Sequence, residues 1–180
     1  FTAAMYAAFS VVEFIGRSIG SALQYRIKIP DKNLLTIFVN TKGKVYMTMD
    51  NKNTLGALAD QMVADGKLPK LSDAEKKAFE QAPTFGTPLN MTKSWLDAPE
   101  GKRNDLLRDA QAGIPCDSVN DELKVWVKAA RTVAGEEMLI AVKADQSTSY
   151  AVIKKVMDSL RSIEENRYNL ITALKNASKD

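Results

Sequence analysis

Asp145 is the carboxylate of this chain whose place in the sequence could support chemistry. It directly follows the apolar run Met138-Leu139-Ile140-Ala141-Val142-Lys143-Ala144. That puts it at the C-terminal end of an expected strand, where the sites of α/β sheets gather. Paired with Glu164 or Glu165 it would give the two-carboxylate arrangement of general acid–base catalysis. An aspartate in such a loop also has a structural use, accepting backbone N–H groups at a turn or helix start. Asp158 falls too far along the following helical pattern to form a dyad with it. The single cysteine, Cys116, has no intrachain disulfide partner. Its setting, Ile114-Pro115-Cys116-Asp117-Ser118, puts an acid beside it and no evident cation, which suits a small packing residue rather than a nucleophile.

Histidine is absent, with a count of 0. That excludes Ser-His and Cys-His nucleophile pairs and any His-ligated zinc site. The sequence has no glycine-rich phosphate loop, no Cys-x-x-Cys and no Gly-x-Ser-x-Gly. No catalytic residue, metal ligand set or cofactor is therefore assigned, and the chain is expected not to be an enzyme. Its 180 residues, 45% hydrophobic and 26% charged, suit one ordinary domain plus an appendage. A net charge of +3 and a pI near 8.9 are too mildly basic to argue for nucleic acid. The first residue is Phe1 rather than Met, so the natural start is expected to have been lost or processed.

The elements that must position these residues follow from hydrophobic periodicity. Residues Phe1 to Leu23 place Met5, Phe9, Val12, Ile15, Ile19 and Leu23 on one side of a helix, with Ser10, Glu13, Arg17 and Ser21 on the other. Glu13 and Arg17 keep the charge-free run below the roughly 18–20 residues of a spanning helix. The segment reads as an amphipathic helix on a partner, a membrane surface or its own domain, or else as the remnant of a membrane anchor. Tyr25 to Ile29 alternates like a strand. Leu35 to Asn40 and Val45 to Met49, joined across Thr41-Lys42-Gly43-Lys44, read as a hairpin. Asn53 or Thr54 is expected to cap a helix ending at Gly66, and Ser72-Asp73-Ala74-Glu75 is a capping box for a second helix.

An insertion at about 66–116 follows, most irregular between Pro83 and Pro115. It is expected to pack through Phe85, Leu89, Trp95 and Leu96, to hold a short helix from Met91 or Thr92 to Leu96, and to leave Lys102 and Arg103 in solvent. Asp117 or Ser118 is expected to cap a helix carrying Leu123, Trp126, Val127, Ala130 and Val133, which Gly135 ends. The strand up to Ala144 comes next, then a helix after Ser149 bearing Val156 and Leu160, and a last strand from Tyr168 to Leu174. This order predicts an α/β chain of the α+β two-layer type. A small mixed sheet would carry two main helices on one face, plus the N-terminal helix and the loop-rich helical insertion. Leu139, Val142, Val156, Leu160, Leu170 and Ile171 are its expected core.

Five short motifs in register carry a family resemblance. They are Leu139 to Asp145, Tyr150, Val156-Met157-Asp158-Ser159-Leu160, Tyr168 to Thr172, and the hairpin Leu35 to Met47. Over roughly residues 27 to 175 the chain resembles the ExbD/TolR biopolymer-transport family, in its Bacteroidota-type form with a long insertion. The chain is expected to divide into an N-terminal amphipathic or anchor-like helix and linker at 1–26 and, as the resemblance implies, a periplasmic domain at 27–180. The family's membrane aspartate has no counterpart in Phe1 to Leu23, so the periplasmic domain is carried over and the proton-carrying residue is not.

The resemblance further implies a single-pass inner-membrane protein whose domain faces the periplasm. It would be a homodimer, working with an ExbB/TolQ-like proton-channel protein and a TonB-like energy transducer, with no nucleic acid. The expected partner-binding residues are Asp145, Tyr150, Tyr168, Leu170 and Thr172, with the last strand at or near the association. The alternative, from the residues alone, is a periplasmic small-ligand-binding domain or a carboxylate-based enzyme centred on Asp145.

Overall fold

The computed structural model of the protein describes residues 33–145 and 147–172. The expected helix over Phe1 to Leu23, the strand Tyr25 to Ile29, and Ala173 and Leu174 lie outside the described residues. Within them the elements run β1 (Leu34–Val39), β2 (Val45–Met49), α1 (Lys52–Ala64), α2 (Asp73–Gln81), α3 (Leu89–Asp97), α4 (Glu100–Leu106), α5 (Leu123–Ala134), β3 (Leu139–Ala144), α6 (Tyr150–Ser162) and β4 (Tyr168–Thr172). The strands form a mixed sheet in the order β2-β1-β3-β4. β1 pairs antiparallel with β2 and parallel with β3, and β3 pairs parallel with β4. This is the α+β two-layer sandwich that the alternation of strand and helix patterns predicts.

The registers line up one face of the sheet. Leu35, Ile37 and Val39 stand beside Met49, Met47 and Val45 on one side and Ile140, Val142 and Ala144 on the other. All nine are buried. Leu55, Leu58 and Met62 of α1, Leu123, Trp126, Val127 and Ala130 of α5, and Ile153, Val156 and Leu160 of α6 join them in one cluster. Period 2 in the strands and period 3.6 in the helices thus converge on a single layer contact. Three helices, rather than two, supply it.

Leu139 and Ile171 do not belong to that core. Each points to the opposite sheet face and is 36% and 39% exposed respectively, whereas Val142, Val156 and Leu160 are fully buried and Leu170 is partly buried. Alternation explains the difference, since neighbours in a strand cannot both face the helices.

Local signals account for most element ends. Ser72 and Glu75 form the reciprocal capping box of α2, and Gly135, at φ +79°, ends α5. Asp117 does not cap α5. Its Oδ1 accepts the N–H groups of Val119 and Asn120 in a tight turn, and the helix begins only at Leu123, after Glu122, without a side-chain cap. Asn51, not Asn53 or Thr54, caps α1. The charged stretch after Pro99 is helical as α4, with Pro88 and Pro99 starting α3 and α4 through their fixed φ.

The insertion's apolar residues enter the main core. Phe85, Trp95, Leu96 and Ile114 are buried members of the single cluster, and Phe79, Phe85 and Trp126 have ring centroids 4.9 to 5.9 Å apart. Lys102 is exposed, but Arg103 is half-buried. Its guanidinium donates to the Ala98 and Ala78 carbonyls, and its own carbonyl accepts from Trp95 Nε1. Arg103 thus fastens α4 to α2 and α3 rather than standing in solvent.

Candidate functional site

The two ends of the sheet separate the residues that chemistry would need together. Asp145 follows β3, and its N–H donates to the Val39 carbonyl at 3.1 Å. Glu165 precedes β4 and pairs with Arg131, which also donates to the Met138 carbonyl just before β3. The length of β3, about 16 Å at the usual rise per residue, lies between the two carboxylates. Asp145 therefore forms no acid–base pair with Glu165.

Asp145 itself is exposed, and its Oδ1 accepts the Ser147 N–H at 2.9 Å and the Ser147 hydroxyl at 2.6 Å. Those two donors hold its carboxyl below the usual aspartate range. This is an Asx-type turn ahead of α6. The crevice between the C-terminal ends of β1 and β3, where the chain turns away in opposite directions, is the usual ligand position in such sheets. Here its polar groups bond to one another. Thr148, buried, donates its hydroxyl to the Asn40 carbonyl at 3.2 Å, and Asn40 Oδ1 accepts the N–H groups of Lys42 and Lys44.

Cys116 lies between two small clefts of about 260 and 290 Å³ beside α6. Burial, together with the Asp121 carboxylate, pushes its thiol up to about 12. A thiol in that state is not a nucleophile near neutral pH. Among the described residues no group of His, Cys, Asp and Glu is placed to hold a metal ion.

The remaining expected site residues fall along β4 and its C-terminal end. Thr172 stands beside Ala144, so it lies at the same end of the sheet as Asp145 and the start of α6 at Tyr150. Tyr150 is 53% exposed. Tyr168 stands beside Ile140, at the opposite end, with Leu170 between them. Tyr168 and Leu170 face the helices and pack against the core, and burial raises the Tyr168 phenol above its ordinary value. Asp145, Tyr150 and the Thr172 backbone thus lie at one end of the sheet and Tyr168 at the other.

What β4 presents outward is its backbone edge, together with the exposed Asn169 and Ile171. Among the described residues no strand pairs with that edge. The motif pattern singled out Tyr168 and Leu170, but strand alternation was the signal that identifies Asn169 and Ile171 as the outward pair. No protein-family model matches the chain, and no curated protein or solved structure matches it. Among the described residues no helix is long and apolar enough to cross a membrane.

Proposed function

We propose that this chain is an accessory subunit of a proton-motive-force-driven inner-membrane motor of the ExbB-ExbD-TonB type. Its domain acts in the periplasm, by pairing with a second copy and gripping an extended peptide of a TonB-like transducer, and it catalyses nothing. The observation that carries this reading is the character of the β4 edge. Free edges in soluble proteins are usually guarded by charge, proline or a bulge. The run Tyr168-Asn169-Leu170-Ile171-Thr172 contains no charged residue, no proline and no glycine, and Ile171 is exposed beside it. Such an edge accepts a strand through main-chain hydrogen bonds, which need no catalytic side chain. The motif register supports the family assignment. Asp145 follows β3 while Glu164 and Glu165 precede β4 at the other end of the sheet, which favours this reading over a carboxylate pair at Asp145.

The test uses the intact protein in its own membrane. An Ile171→Cys variant should form a disulfide-linked pair on mild oxidation and should co-purify with a polytopic ExbB/TolQ-like protein. A protein that stays monomeric, binds no transducer linker peptide and brings down no channel protein would sink the reading.

A further inference from the structure

Among the described residues, the two edges of this sheet are treated in opposite ways. The β2 edge is occupied by the chain itself, through the two ends of the insertion. Met47 and Phe85 exchange both backbone hydrogen bonds, at 2.8 and 2.9 Å. The Ile114 N–H donates to the Val45 carbonyl at 2.8 Å, and Thr48 Oγ1 donates to the Pro83 carbonyl at 2.7 Å. The two insertion ends are tied to each other where they cross the strand, by the Gly113 N–H on the Gly86 carbonyl at 2.8 Å.

Glycine makes that close crossing possible on both ends. A Cβ on Gly86 would lie 2.5 Å from Tyr46 Cδ1 and 3.0 Å from Tyr46 Cα. One on Gly113, whose φ is +106°, would lie 3.0 Å from Lys44 Cδ. The Tyr46 ring is held in place because its hydroxyl donates to the Leu107 carbonyl at 2.9 Å.

We infer that the segments around Phe85-Gly86 and Gly113-Ile114 form a strap that caps the β2 edge, so that strand pairing between copies is confined to β4 and closes at two. The reasoning is one of symmetry. A sheet with both edges open can grow head to tail, β4 of one copy on β2 of the next, without limit. With β2 sealed, β4 can meet only another β4 or a peptide, and the assembly closes. This inference rests on the reading of β4 as the association edge, and the experiment separates the two.

The intact protein, Ile171→Lys, Gly86→Val and the double variant are compared by sedimentation over a range of concentrations. Hydrogen exchange is recorded at the Met47, Phe85 and Ile114 amides of the unaltered protein. The unaltered protein should stop at two copies and Ile171→Lys at one. Gly86→Val should drive the strap off β2 and grow past two copies with concentration, and the double variant should return to small species. The three amides should exchange at least about a thousandfold more slowly than open amides.

A folded Gly86→Val protein that still stops at two copies overturns the cap while leaving the β4 reading intact. An unaltered protein that is monomeric removes the β4 reading. The cap then stands only if Gly86→Val self-associates, and falls if that variant is monomeric too. If Gly86→Val does not fold, the exchange data decide, and rapid exchange at Phe85 and Ile114 overturns the cap.

Discussion

Arg131 and Glu165 form a fork-to-fork ion pair, Nε to Oε1 and Nη2 to Oε2, both at 2.7 Å. Both side chains are largely shielded, at 18% and 15% exposure. The same guanidinium donates through Nη1 to the carbonyls of Gly135, Glu136 and Met138. One side chain therefore fixes the end of α5, the lead into β3 and the approach to β4. Because Glu165 supports the start of the edge strand, this pair positions β4 as well as stabilising it.

Replacing Arg131 should cost more than a surface ion pair would. Arg131→Met takes its donors from Glu165 and from the Glu136 and Met138 carbonyls, while Gly135 keeps the Met138 N–H, an expected loss of about 2–4 kcal/mol. Arg131→Lys should recover little, because one ammonium cannot reproduce the planar fork. Urea unfolding of the three proteins checks this. A lysine variant as stable as the original would contradict it.

Glu75 should govern part of the acid limb of stability. Its buried carboxylate receives the Lys93 ammonium and the Ser72 N–H, and these hold its pKa at about 2, below the ordinary 4.5. A depressed folded value means the stabilisation is fully present above the unfolded pKa and is lost as pH falls from about 4.5 to about 2. Glu75→Gln should be less stable by about 1–2 kcal/mol at pH 7. The gap should narrow across that acid window, as read by chemical unfolding at stepped pH. A gap that does not change with pH would refute the assignment.

Cys116 should be slow to alkylate in the folded protein. With the thiol at about 12 rather than the ordinary 9, its thiolate fraction at pH 8 falls by about a thousandfold. Iodoacetamide labelling should therefore be slow in buffer and fast in denaturant. Rapid labelling of the native protein would show the thiol is not shielded.

Leu160 tests the layer contact. It is fully buried on α6 within the main cluster, and Leu160→Ala should cost about 2–5 kcal/mol. The same truncation at Ile171, exposed on the opposite face, should cost less than about 1 kcal/mol. Equal losses at the two positions would contradict the placement of the core.

The parts of this fold written in local rules were legible from the residues. Two β-rich runs around a glycine turn identified β1 and β2, an apolar run identified β3, the Ser72–Glu75 box started α2, and Gly135 stopped α5. Failures came where a local rule had two uses. Asp117 has the chemistry of a helix cap and of an Asx turn, and only the bridge between Cys116 and Asp121 selects the turn. Gly101 masks α4, whose start at Pro99 and first-turn Glu100 are otherwise good helix signals. Leu139 and Ile171 look like core in an apolar run, because hydrophobicity alone does not say which face a strand residue takes. At the candidate site, the end of the apolar run at Ala144 was enough to put Asp145 at the C-terminal end of β3. The crossing of the strap at Gly86 and Gly113 was hidden, since it joins residues far apart in the chain.

The placement of β3 between β1 and β4 also shapes how the chain comes off the ribosome. The β1–β2 hairpin is complete at Met49, yet the strand that covers its inner edge begins only at Leu139. At ordinary synthesis rates, residues 50–138 take about 5–20 seconds to appear. Throughout that interval the inner edge of β1, with Leu35 and Ile37 beside it, has no native strand to pair with. The nascent chain therefore depends on α1, α2 and the ends of the insertion to shield the hairpin. A fragment ending before Leu139 should collect as aggregate in cells, where the longer chain does not.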